Sequence, residues 1–138
     1  MANNTIDLLH NYLLLEPDGA AVLLPGGRDF WIQLASGDAT DHGIRRLMGS
    51  EKGRLLSALS MDANWTHWEM HPAGDEILLM LEGTTTFILD LPDGLHEVTL
   101  GAGRLLVVPK EVWHTAKVGA PARLLAITVG SGTQHRAV

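Results

Sequence analysis

Seven consecutive residues, Trp65-Thr66-His67-Trp68-Glu69-Met70-His71, concentrate the ionisable chemistry of this chain. In an extended strand alternate side chains share a face, so Trp65, His67, Glu69 and His71 point one way and Thr66, Trp68 and Met70 the other. One face then carries three ionisable groups in a row. A strand packed on a core rarely tolerates that unless the groups are solvated, paired or ligated. Glu76 follows after the loop Pro72-Ala73-Gly74-Asp75 and opens an apolar stretch, Ile77-Leu78-Leu79. Far downstream, Pro109-Lys110-Glu111-Val112-Trp113-His114 sets another imidazole at the start of a strand. Two imidazoles with one or two carboxylates suit a divalent transition metal: imidazole fits zinc, copper, iron and nickel, carboxylate oxygen fits harder ions such as manganese, and two His plus one carboxylate is the non-haem iron pattern. There is no cysteine, so thiolate ligands and disulfides are both excluded.

These groups need a scaffold, and from Arg54 onward the chain reads as short strands between turn residues. Arg54–Leu59, Trp65–His71, Ile77–Leu81, Thr84–Leu91, His96–Leu100, Arg104–Val108, Trp113–Val118 and Arg123–Val129 are the expected strands. Pro92-Asp93-Gly94 marks the clearest hairpin, because Asp-Gly tolerates the positive φ such turns need. This spacing predicts an all-β sandwich or barrel. Upstream, Thr5–Leu15 fits a short helix or an edge strand, and Ala20–Leu24 and Phe30–Ala35 read as strands. Ser36–Gly53 reads as a loop with one short strand near Ile44–Met48, and the residues from Ser131 as a loose tail.

Composition narrows the function. The 138 residues suffice for one domain with a sizeable core. Ten Lys and Arg against 16 Asp and Glu give a net charge of −6, with no basic stripe for a nucleic acid or an anionic membrane. No apolar run is long enough to span a bilayer. The first basic side chain is Arg28, so a secretory signal is not expected, and a cytoplasmic setting is.

The spacing of the chemical residues resembles the two motifs of the cupin superfamily. His71, four residues, Glu76, six residues and Gly83 match the latter part of the first motif; Gly103, five residues, Pro109 and then His114 match the second. The motifs cover about 63–118, and the strand pattern extends the likeness to about Val129. The resemblance implies a double-stranded β-helix, the jelly-roll cupin barrel, with N-terminal extra strands or a short helix. It implies one domain over 1–138, with 1–52 as padding strands and loop and 53–130 as the barrel core. Carried over position by position, the metal ligands are Glu69, His71, Glu76 and His114. Four positions depart from the motifs: Glu69 replaces the first His, Ala63 the leading Gly, Glu111 the second Gly of motif two and Val118 its final Asn.

Glu69 is either a ligand or an acid–base group beside a His71, Glu76 and His114 triad, and it also suits pairing with a His or Arg across the barrel. His67 is a solvated rim residue rather than a ligand, with substrate contact as the alternative, and either Glu69 or His67 is the candidate for moving a proton. The alternative for the whole set is a metal-free pocket of hydrogen-bonded residues. Trp65 and Trp113 are candidates for the pocket entrance, Trp68 and Met70 for packing against a second layer. His10, His42, His96 and His135 are expected at the surface. The expected function is a divalent-metal enzyme on a small organic molecule, of oxygenase, isomerase or decarboxylase type; the alternative is a non-catalytic ligand-binding or sensing module. The apolar excess over Ile6–Leu34 and the resemblance together imply a homodimer.

Overall fold

The computed structural model describes residues 5–138. Among the described residues eleven strands form two antiparallel sheets. β1 (Asn11–Leu15), β2 (Ala21–Pro25), β3 (Arg54–Met61), β5 (Glu76–Glu82), β8 (Leu105–Val108) and β10 (Ala122–Val129) make a six-stranded sheet in the order β2-β1-β3-β10-β5-β8. β4 (His67–Met70), β6 (Thr84–Leu91), β7 (Gly94–Gly101), β9 (Trp113–Lys117) and β11 (Gln134–Ala137) make the other, in the order β11-β4-β9-β6-β7. The sheets face each other as a jelly-roll barrel.

Alternation drives the barrel closed. In β5, Glu76, Leu78 and Met80 point inward and are buried, and β10 contributes Leu124 and Ala126 in register opposite Met80 and Leu78. Met61, Phe87, Leu89, Leu100 and Val108 complete this core from the remaining strands. The Asp-Gly turn produces the expected hairpin, with β6 and β7 paired from Thr84↔Gly101 to Leu91↔Gly94.

The first third of the chain corrects three expectations. Phe30–Ala35 is not a strand but lies in helix α1 (Arg28–Ser36). Strand alternation would bury Ile32 with Phe30; instead Ile32 is 54% exposed while Phe30 is fully buried. Leu34, four residues beyond Phe30, packs on the same cluster at helical spacing. Left-handed Gly37 (φ 71°) ends the helix, where a side chain would be strained. The segment near Ile44–Met48 is likewise a helix, α2 (His42–Met48). Asp41 caps it, its Oδ1 accepting from the Ile44 amide at 3.0 Å, and Ile44 and Leu47 are buried three residues apart. Finally, β1 is not an edge strand: it lies between β2 and β3, and β2 takes the edge.

The N-terminal apolar residues are consumed by a second core. Tyr12, Leu14, Leu24, Phe30, Ile44, Leu47 and Leu55 pack together beneath the helices, so the two helices cap the inner face of the sheet beyond the barrel. The outer face of the same sheet stays apolar too. Val107, Ile77, Ile127, Leu56, Leu13 and Leu23 stand side by side in register, one from each of the six strands. Val107 and Leu23, on the two edge strands, are exposed, as is Leu105 two residues before Val107.

The residues from Ser131 are not a loose tail. They form β11, paired with β4 from Gln134↔Met70 to Ala137↔His67. The Arg136 guanidinium lies over the Trp68 ring (5.2 Å) and the Trp113 ring (4.5 Å) and donates to Asp90 Oδ2 at 2.9 Å. Among the described residues no helix is long and apolar enough to cross a membrane.

Candidate metal centre

Strand parity and register assemble the site. Glu69 of β4 stands directly opposite His114 of β9. His71 follows directly after β4, and Glu76 opens β5 as its first inward residue. The segments bearing the ligands are tied through their loops. The Lys110 amide donates to Asp75 Oδ1 (2.9 Å), and the Glu111 amide donates to the His71 carbonyl (3.0 Å). Glu111 adopts φ 69°, the left-handed conformation that favours glycine, at the position where the motif has one.

One atom each from Glu69, His71, Glu76 and His114 falls within a group whose members all lie within 4.8 Å of one another. Three of the residues are buried, and Glu69 alone is partly open. His114 is fully buried, and its Nδ1 lies 3.1 Å from the Val112 carbonyl, which can only accept. Nδ1 therefore carries hydrogen, and Nε2 lies 2.9 Å from Glu76 Oε1. Glu76 Oε2 accepts from the Thr128 hydroxyl at 2.5 Å. His71 Nε2 is 3.3 Å from Glu76 Oε2 and 3.7 Å from Glu69 Oε2, yet it is buried with no hydrogen-bond partner.

Charge and burial compete at these groups. Burial pushes the His71 imidazolium down, but the facing Glu69 and Glu76 carboxylates more than reverse it and raise its pKa to about 9. Burial likewise opposes the charged form of Glu76, but His114 and His71 outweigh it and lower its carboxyl to about 2. Converging nitrogens and carboxylates require a cation among them, whether protons or a metal ion. The orphaned Nε2 and the nitrogen-and-oxygen donor set fit a divalent metal.

All four expected ligands thus meet, and His67 does not join them. It is exposed on the same face, its Nδ1 2.8 Å from Thr66 Oγ1. Trp65 does reach the site, its ring 6.2 Å from His114 and 6.0 Å from Phe87. Trp113 does not: it is stacked on Arg136, next in sequence to inward-facing His114 and hence on the outer face. Trp68 packs on Arg136 of the C-terminal strand rather than on a second layer. His10, His42 and His96 are at the surface as expected. His135 is also half exposed, but its Nε2 reaches Glu69 Oε1 at 3.4 Å, so Glu69 stands between His71 and His135.

Sequence reasoning missed Thr128, Thr133 and His135. Thr128 left a signal, a polar residue on the inward parity of β10 beside Leu124 and Ala126. Thr133 and His135 left none, because their segment has no apolar alternation. A surface cleft of about 460 Å³ lined by Val22, His42, Gly43, Arg45 and Arg46 lies apart from these ligands. It is open and its arginines are engaged, Arg46 with Glu16 and Arg45 with the Ala39 carbonyl, so the buried cluster is the stronger candidate.

A family model described as "Cupin domain" matches residues 60–128. No curated protein matches the chain. Among solved structures, a cupin-2 domain containing protein from Shewanella frigidimarina is 24% identical, covering 54% of this chain and 68% of that one with a TM-score of 0.46. The protein NMB1881 from Neisseria meningitidis is 25% identical, covering 57% and 76% with a TM-score of 0.47. Hydroquinone 1,2-dioxygenase from a Sphingomonas species is 14% identical, covering 58% and 61% with a TM-score of 0.49.

Proposed function

The chain belongs to the cupin family, and on that premise we propose that it binds one divalent metal ion through His71, Glu76 and His114, with Glu69 beside them, and uses it on a small organic molecule. We take residues 1–138 as one cupin domain, with 1–52 as padding and 53–130 as the barrel. The observation that carries the metal reading is the buried Nε2 of His71, which makes no hydrogen bond and faces two carboxylates.

The ion supplies Lewis-acid or redox chemistry when bound. The protein's own groups do the rest. The Val112 carbonyl and the Thr128 hydroxyl hold His114 and Glu76 in the orientation that aims their donor atoms inward. Glu69 is the partly open member, so a molecule approaching the centre meets its carboxylate first. With one oxygen toward His71 and the other toward His135, it serves either as a fourth ligand or as the group that accepts a proton from the bound molecule. His67 is the rim candidate for passing that proton to solvent. Oxygenation, isomerisation and decarboxylation all fit this arrangement.

The deciding experiment is elemental analysis of the native protein beside Glu69→Ala and His114→Ala variants. Metal lost from the His114 variant alone makes Glu69 an acid–base group; metal lost from both makes it a ligand. Wild type free of metal even after reconstitution overturns the metal reading. The absence of cysteine supports a reducing, cytoplasmic setting. The apolar row across the outer face of the six-stranded sheet supports a homodimer formed through that face, since the N-terminal apolar residues are largely spent on the second core.

A further inference from the structure

The C-terminal segment brings to the site a group that neither motif contains. Beyond β10 the chain turns through Gly130–Thr133, with the Thr133 amide donating to the Gly130 carbonyl at 3.1 Å. Gly132 takes φ 75° against Pro72, the residue after His71. This turn sets Thr133 Oγ1 2.8 Å from His71 Nδ1 and 2.9 Å from the Gly130 carbonyl oxygen.

Counting protons fixes the His71 tautomer. A hydroxyl has one proton, and the Thr133 hydroxyl donates it to the Gly130 carbonyl. Toward His71 the same oxygen must then accept, and Nδ1 must carry hydrogen. In the neutral imidazole that leaves the lone pair on Nε2, the atom that faces Glu69 and Glu76. The turn is itself clamped in place. β11 is laddered to β4, and Arg136 is held by Trp68, Trp113 and Asp90.

We propose that Thr133 is a positioning residue of the metal centre, holding His71 in the tautomer that presents Nε2 to the ion, and that β11 is the clasp that keeps Thr133 there. This rests on reading the site as a metal centre. Thr133→Val keeps the branched side chain and the backbone hydrogen bond to Gly130 but removes the hydroxyl, and with it both the acceptor toward His71 and the bond to the Gly130 carbonyl, whereas Thr133→Ser keeps both; a role confined to shaping the turn makes a different prediction, because it leaves the His71 tautomer unmoved.

The test uses the full chain in two arms. In the first, metal-free protein is titrated with cobalt(II) alone. Thr133→Val should weaken binding by about 10–100-fold, the usual cost of losing such an outer partner, and Thr133→Ser should stay close to wild type. In the second, imidazole ¹⁵N shifts of the metal-free protein are followed with rising pH until they stop changing, and the tautomer is read on that alkaline plateau. Wild type and Thr133→Ser should show hydrogen on Nδ1, and Thr133→Val should move it to Nε2, where the carboxylates can accept it. Wild-type affinity with an unmoved tautomer in Thr133→Val overturns the proposal. So does Thr133→Ser behaving like Thr133→Val. If wild type takes up no cobalt, the metal reading falls, and the tautomer arm still decides whether Thr133 governs His71.

Discussion

Metal uptake by this protein should expel a proton, and the geometry says how strongly that couples affinity to pH. In the metal-free state His71 is held between Glu69 and Glu76 and titrates at about 9. At pH 7 the imidazole is therefore mostly protonated, and displacing that proton costs on the order of 3 kcal/mol, since each pH unit is worth about 1.36 kcal/mol. Apparent affinity should rise about tenfold per pH unit from 6.5 to 8.5 and level off above 9. Calorimetric titration in buffers of different ionisation enthalpy counts the protons directly, and about one should be released per ion at pH 7. The same groups shape the stability of the metal-free protein. His71 is raised from 6.5, so its contribution is complete below pH 6.5 and is lost as pH climbs through 9. Glu76 is lowered from 4.5 to about 2, so its contribution is complete above pH 4.5 and is lost as pH falls through 2. Each shift corresponds to roughly 3 kcal/mol, and the two describe largely the same attraction, so they do not add. Stability without metal should peak between pH 4.5 and 6.5, and the alkaline decline should vanish once metal is bound. Binding that is flat in pH from 6.5 to 8.5 with no proton released refutes the argument.

Two further outcomes are expected. Glu111→Gly relieves a left-handed residue costing about 1–2 kcal/mol, offset by roughly 0.5–1 kcal/mol of glycine entropy, so Tm should rise by about 1–3 °C with the metal-site loop intact; a lower Tm in thermal scans counts against strain at this position. Val107→Lys places a charge in the apolar outer row, so sedimentation should show the variant monomeric where wild type is dimeric, with the barrel's circular dichroism unchanged. A monomeric wild type at every concentration removes the interface.

Legibility in the sequence tracks the range of the forces involved. Strand parity places Glu69 and His71 on one face because that relation is periodic, while Glu76 and His114 join them in the sequence through the resemblance to the two cupin motifs. The helices escape such a reading because Phe30-Trp31-Ile32 has strand-like residue types; what buries Phe30 and exposes Ile32 is a second core built with Tyr12, Ile44 and Leu55. Asp41 with Ile44 and Leu47 does carry a readable cap and helical spacing, which the polar, Gly-bearing surroundings mask as a loop. Gln134–Ala137 carries no apolar alternation at all. Its strand exists because a ladder and an arginine between two tryptophans hold it, and those partners are remote in the chain.

That remoteness has a kinetic meaning. Glu76 meets His114 across 38 residues and Thr128 across 52, and His71 meets Thr133 across 62. Contacts so far apart in the chain close late in folding, after shorter loops have formed. An ion that needs all of them meets a finished pocket only after the rate-limiting step. Loading should then leave the folding rate nearly untouched and slow unfolding, so that the ion lengthens the lifetime of the native barrel without hastening its arrival.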